Sequence, residues 1–249
     1  NLIIPNMKKL FALLFFFSSF LILNAQDKKL NLIVGTYTKS CDSKGIYVYE
    51  FDSKTADFKF KNSSENIINP SYLSVSNDNK FVYSVSENDN KSSISAFGYN
   101  SKSGKLDFIN HQNPNGLNPC YVINDDKNVI TANYSSGNIS VLGKNIDGSI
   151  GEAKQLVQHT GKSINTNRQE AAHAHMVYFS PDKKYVLAND LGTDKVYVYQ
   201  YNPNSQTEVL KLKSSVNCTP GSGPRHLIFS NDGKYVYVLQ ELDGVISSF

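Results

Sequence analysis

A unit of about fifty residues recurs along this chain, and a fixed period of that length marks a fold assembled from stacked copies of one motif. Four segments share its pattern: Pro70-Ser71-Tyr72-Leu73 leading to Lys80-Phe81-Val82-Tyr83, Pro119-Cys120-Tyr121-Val122 to Lys127-Asn128-Val129-Ile130, Ala174-His175-Met176-Val177 to Lys184-Tyr185-Val186-Leu187, and Pro224-Arg225-His226-Leu227 to Lys234-Tyr235-Val236-Tyr237. Their starts are spaced by 49, 55 and 50 residues. In each, an Asp (Asp78, Asp125, Asp182 or Asp232) stands between a short run and a β-rich one, which is hairpin chemistry and a structural role for those carboxylates. The second half of the unit repeats as well: the run from Gly45 to Lys54 resembles that from Ser93 to Lys102 and again that from Lys195 to Asn202. Each leads through a polar turn into a fourth strand, such as Leu106 to His111 or Val209 to Ser214, and no segment has a sustained helical period. Four antiparallel strands in such a unit make one propeller blade, so the expected fold is all-β, a β-propeller of four-stranded antiparallel blades.

The segment Leu30 to Glu65 supplies only strands two to four of a first blade, and Phe249 falls within the third strand of another. The expectation is an incomplete propeller domain over residues 26–249, truncated to about four to five blades and lacking the strand that would close the ring. Ahead of it, Met7-Lys8-Lys9 begins a positive start, Leu10 to Leu23 is apolar or Ser, and Ala25 precedes Gln26. Residues 7–25 therefore read as a signal peptide cleaved near Ala25, with residues 1–6 as an upstream translated leader. The apolar stretch is shorter than the roughly 20 residues a span needs, so no stable membrane insertion is expected after cleavage, and the mature protein is placed in the periplasm or outside the cell.

The net charge of +3 is spread through the chain, which argues against nucleic acid as a partner, because tracking phosphates needs a concentrated basic patch. Cys41, Cys120 and Cys218 are an odd number at wide spacing, neither a metal pattern nor a disulfide framework, and read best as buried free thiols. No cofactor is indicated, and a monomer is expected.

Antiparallel pairing puts the start of a blade's first strand and the end of its second on one face of the disc. Arg225 with Glu241, and His175 with Asp190, should meet there; His173 would point with His175 if the strand is regular at that point. His173, His175, Asp190, Arg225, His226 and Glu241 are therefore expected around one mouth of the channel. Imidazole can exchange a proton near neutrality, guanidinium can hold an anion or a developing oxyanion, and a carboxylate can orient either or act as a base. Duller roles exist for each: strand histidines capping a loop, or an Arg–Glu ion pair between strands. Metal binding is not expected, because no third His or carboxylate stands at ligand spacing to His173 and His175. Asn133-Tyr134-Ser135-Ser136-Gly137-Asn138 reads first as a polar turn.

These residues resemble a known family. Gly35-Thr36-Tyr37-Thr38, Gly45-Ile46-Tyr47-Val48-Tyr49, Ala132-Asn133-Tyr134-Ser135-Ser136-Gly137, His173-Ala174-His175, Asp190-Leu191-Gly192-Thr193-Asp194, Gly223-Pro224-Arg225-His226 and Glu241-Leu242-Asp243 look like the seven-bladed propeller lactonases, which include the propeller type of 6-phosphogluconolactonase and the fungal carboxymuconate cyclase. The resemblance runs from Leu30 to Phe249. It implies a seven-bladed ring, a small-molecule lactone as partner, and catalytic roles for His175, Arg225 and Glu241, with a further Arg beyond Phe249; His173, Asp190 and His226, placed at the same mouth by the strand geometry, are expected to bind the substrate. The expected activity is a lactone hydrolase, opening a sugar lactone to its acid, with His175 or Glu241 activating water. Since a phosphorylated lactone is cytoplasmic and residues 7–25 read as an export signal, the resemblance leaves an unphosphorylated sugar lactone or another ring ester open as the substrate. A muconate-type lactone cycloisomerase uses similar groups, and a non-catalytic surface-binding propeller would share the repeats without needing a polar cluster. No Gly-x-Ser-x-Gly elbow is present to support a serine nucleophile.

Overall fold

Short runs of β-branched and aromatic residues, broken by Ser-x-Asp-x-Lys turns, leave the chain little choice but hairpins. Ser180 shows how such a turn is held. Its hydroxyl donates to Asp182 Oδ1 at 2.7 Å and accepts the Tyr185 N–H at 3.0 Å. Ser76 with Asp78 and Phe81, and Ser230 with Asp232 and Tyr235, make the same pair of bonds. The repeated Asp residues thus organise turns. Ser180→Ala removes the acceptor for Tyr185 N–H and is expected to lower stability by about 1 kcal/mol in urea unfolding; an unchanged midpoint would mean the backbone alone holds the turn.

The computed structural model describes residues 29–249, and among these the chain forms five antiparallel sheets. The first blade holds β1 (Lys29–Val34), β2 (Gly45–Asp52) and β3 (Phe58–Glu65); the second, β4 (Leu73–Val75), β5 (Phe81–Ser86), β6 (Ser93–Asn100) and β7 (Lys105–Gln112). The third holds β8 (Pro119–Asn124), β9 (Asn128–Asn133), β10 (Asn138–Lys144) and β11 (Ile150–Gln158). The fourth holds β12 (Ala174–Phe179), β13 (Tyr185–Asp190), β14 (Lys195–Tyr201) and β15 (Leu210–Asn217), and the fifth β16 (Pro224–Phe229), β17 (Val236–Gln240) and β18 (Ile246–Ser248). Every sheet is a simple meander. The all-β propeller expected from the repeat is what forms, including the three-stranded first blade.

The first strands of neighbouring blades pack on one another, β4 on β8, β8 on β12 and β12 on β16, which sets them around a common axis. In the third and fourth blades the second strands, β9 and β13, are buried along most of their length, whereas the peripheral β15 is almost wholly exposed. The apolar core therefore sits between blade faces: Tyr83, Val85 and Ile94 of the second blade meet Val122, Val129 and Leu142 of the third. Cys41, Cys120 and Cys218 are unpaired; Cys218 is buried as expected, but Cys41 lies exposed in the loop after β1. Among the described residues no helix is long and apolar enough to cross a membrane. The leader and signal segments read at residues 1–6 and 7–25 lie outside the described residues.

Candidate functional site

In three blades the first strand opens with a bulge. Pairing with the second strand skips from Pro119 to Tyr121, from Ala174 to Met176 and from Pro224 to His226. A bulge re-aims the extra residue out of the ladder, and the three skipped residues are Cys120, His175 and Arg225. Ser71 holds the same place in the repeat of the second blade. All four line one cavity of about 680 Å3 at the axis, together with Tyr37, Tyr134, Arg168 and Glu241. The bulge also corrects the expectation that His173 and His175 share a side, since the strand is not regular there.

A second column comes from the ends of the second strands. The backbone N–H groups of Glu87, Tyr134, Leu191 and Glu241 donate to the carbonyls of Asn69, Asn118, His173 and Gly223, the same bond in four blades. These residues are therefore equivalent, and Glu87, Tyr134 and Glu241 reach the cavity. Asp190 stands one position earlier, in the column of Ser86, Asn133 and Gln240, all buried.

That offset corrects the placement of Asp190. Its Oδ1 accepts the backbone N–H groups of His173 at 2.8 Å and Thr193 at 3.1 Å, and its Oδ2 meets His159 Nδ1 at 2.7 Å. His159 Nε2 in turn meets Tyr199 Oη at 2.8 Å. The network ties the third blade to the fourth, away from the cavity. His173 also stays behind the wall. Its ring stacks on Tyr134 with centroids 4.5 Å apart, and its nitrogens meet Tyr134 O and Glu170 Oε1, each at 3.1 Å. His226 does line the cavity, its ring edge-on to His175 at 5.4 Å.

His175, Arg225 and Glu241 converge. Arg225 Nε donates to Glu241 Oε2 at 2.9 Å, and His175 Nε2 lies 3.8 Å from the same oxygen. Glu241 Oε1 accepts from Arg168, whose guanidinium also donates to Tyr134 Oη at 3.3 Å. Arg168 was not read from the sequence. It lies in the segment between β11 and β12 that stretches one spacing of the repeat to 55 residues, and that extra length was the available signal. Glu87, Ser71 and Tyr37 were missed: the repeated backbone bond is what aligns Glu87 with Glu241, the repeat itself already aligned Ser71 with His175 and Arg225 and was the available signal, and Tyr37 stands in a loop that the repeat does not align.

Burial, with the charges of Arg225 and His226, brings the His175 imidazole down to about 4, against the opposing pull of Glu241. His226 is lowered by burial and by Arg225. Burial alone would raise the Glu241 carboxyl, but the hydrogen bond and charge of Arg168, with His175 and Arg225, outweigh it and hold the group below the usual carboxylate range. Burial pushes the Cys120 thiol far up, which leaves it protonated and a poor nucleophile. His175 Nδ1 is buried without a hydrogen-bond partner among the described residues. A cation placed here would face two guanidinium groups, and among the described residues no three His, Cys, Asp or Glu side chains gather as metal ligands.

A family model described as lactonase, 7-bladed beta-propeller, matches residues 31–249. The curated 6-phosphogluconolactonase of Bacillus subtilis is 38% identical over 215 residues, an alignment covering 86% of this chain and 60% of the relative. That of Formosa agariphila is 32% identical, covering 88% of this chain and 63% of the relative. The chain thus spans about three fifths of the length of these relatives. Among solved structures, the periplasmic gluconolactonase of Pseudomonas aeruginosa superposes with a TM-score of 0.82 at 34% identity, covering 89% of this chain and 64% of that one.

Proposed function

Because this chain belongs to the seven-bladed β-propeller lactonase family, we propose that the axial cavity hydrolyses a sugar lactone to the open acid. The observation that carries the reading is the meeting of His175, Arg225 and Glu241, from two successive blades, in one cavity large enough for a sugar ring. The names of the relatives support the substrate class.

Water adds to the lactone carbonyl carbon, and negative charge grows on the carbonyl oxygen. Arg225 is the donor suited to that oxygen: Glu241 fixes its Nε, and its other N–H groups have no partner among the described residues. His175 takes the proton from water, since its imidazole is neutral at working pH and Nε2 stands at the cavity. Glu241 is less suited as the base, with both oxygens engaged by guanidinium groups and its carboxyl held ionised. It positions Arg225 instead. When the intermediate collapses, the ring C–O bond breaks and His175 returns the proton to the departing hydroxyl.

The test is acid release from glucono-1,5-lactone and from its 6-phosphate by the intact protein; no acceleration over spontaneous opening of either would end the assignment. The pH profile tests the base. His175 lies below its ordinary 6.5, so it stays neutral until the pH nears about 4. The expected kcat/KM is flat from neutrality to below pH 6, with its acid limb near pH 4; a limb at pH 6–7 would exclude His175 in this environment. The same shift carries a stability effect. Unfolded chains take up this proton near pH 6.5 and folded ones only near 4, so stability present above pH 6.5 is lost progressively as the pH falls through that window.

Export belongs to the proposal too. It rests on the charged start and apolar stretch of residues 7–25, with residues 26–249 as the lactonase domain, and a periplasmic gluconolactonase stands among the similar structures.

A further inference from the structure

The proposed reaction leaves one charged group of the cavity without a task. Glu87 follows β5 at the place Glu241 holds after β17, each tied back by the same backbone bond. Their company is opposite. Glu241 meets two guanidinium groups, whereas Glu87 Oε1 accepts from Tyr37 Oη at 2.9 Å and from Ser71 Oγ. Among the described residues no Lys, Arg or His lies within ion-pair reach of Glu87, and its Oε2 receives no donor. Burial and the bond to Glu87 push the Tyr37 hydroxyl up, so it remains protonated and donating.

We propose that Glu87, oriented by Ser71 and Tyr37, selects the substrate: its open oxygen accepts hydrogen bonds from the hydroxyls of a neutral polyhydroxy lactone, and its charge disfavours a phosphorylated one. The inference rests on the lactone reading of the same cavity. A carboxylate held by two hydroxyls on one oxygen presents the other in a set direction, and hydrogen bonds to an ionised acceptor are the stronger kind. Sugar hydroxyls supply the donors it needs. A phosphate dianion has none to offer and meets an uncompensated like charge in a partly water-excluded space. The guanidinium groups do not offset this. With both cavity histidines neutral, the charged side chains lining the cavity are Arg168 and Arg225 against Glu87 and Glu241, and Glu241 engages both arginines. The cavity therefore offers Arg225 as a donor for a lactone carbonyl and Glu87 as an acceptor for ring hydroxyls.

The experiment measures binding of gluconolactam, a neutral analogue that does not hydrolyse, and of its 6-phosphate to the intact protein by calorimetry, beside kcat/KM for the two corresponding lactones. The wild type should bind the neutral lactam at least about ten-fold more tightly than the phosphorylated one. Glu87→Gln should weaken the neutral lactam by about ten-fold and narrow that gap, with the larger part of the kinetic loss in KM. Ser71→Ala, which keeps the carboxylate but frees it, should give a smaller shift in the same direction. A wild type that prefers the phosphorylated ligand, or a Glu87→Gln protein with an unchanged ratio, overturns the proposal. Lactam binding that depends on Glu87 without lactone turnover would remove the hydrolase reading and leave this one standing; turnover indifferent to Glu87 would do the reverse.

Discussion

His175→Ala lowers kcat/KM for lactone opening by about a thousand-fold, the scale expected when a positioned general base is deleted. No other side chain of the cavity is placed to take the proton from water. Glu241 is ionised, but Arg168 and Arg225 occupy its two oxygens, and Cys120 is held as a thiol. Among the described residues His226 makes no ion pair or hydrogen bond with Glu241, whereas His175 Nε2 lies 3.8 Å from its Oε2; His226→Ala should therefore lose far less. Deleting His175 also removes a buried ring nitrogen that has no partner, so the variant should unfold at a midpoint close to that of the wild type. Its stability should no longer fall with pH between 6.5 and 4 on this group's account. The measurement is a steady-state assay on both lactones with a denaturation curve at two pH values. Retention of activity within about ten-fold of the wild type would remove His175 from the mechanism.

Asp190→Ala is expected to lower stability by about 3–5 kcal/mol, because truncation strands a set of buried donors together. Asp190 is fully buried, accepts two backbone N–H groups through Oδ1 and holds His159 through Oδ2, and His159 is itself bound to Tyr199 in the next blade. Asp190→Asn keeps an acceptor for the backbone groups and should lose less. Since neither carboxylate oxygen faces the cavity, KM of the folded fraction should stay near the wild-type value. Urea unfolding followed by kinetics below the transition decides the matter. A raised KM with an intact unfolding midpoint would return Asp190 to the substrate-binding role expected of it at the channel mouth.

Those two residues show where reading the chain by itself stops. His175 and Asp190 belong to adjacent motifs and both looked like members of the channel mouth. One arrives there and the other does not, because a single-residue difference in strand register moves a side chain to the opposite face of a sheet. His175 is carried inward by the bulge between Ala174 and Met176, and no residue type at that position announces a bulge. Arg225 sits on the equivalent bulge, between Pro224 and His226, and lines the same cavity.

What the sequence determined alone was the repeat and everything local to it. The Ser-x-Asp-x-Lys turns, the β-rich runs and the spacing near fifty residues act over a few neighbours at a time, so hairpins, blades and the all-β class follow without knowledge of the rest of the chain. What only the tertiary structure decided was which column of each blade faces the axis and what company it keeps there. Arg168 reaches Glu241 from a loop with no period, across 73 residues of chain, and Glu87 differs from its counterpart Glu241 only in having Ser71 and Tyr37 beside it in place of two guanidinium groups. Charge pairing of that kind depends on distances between blades, which no local pattern encodes.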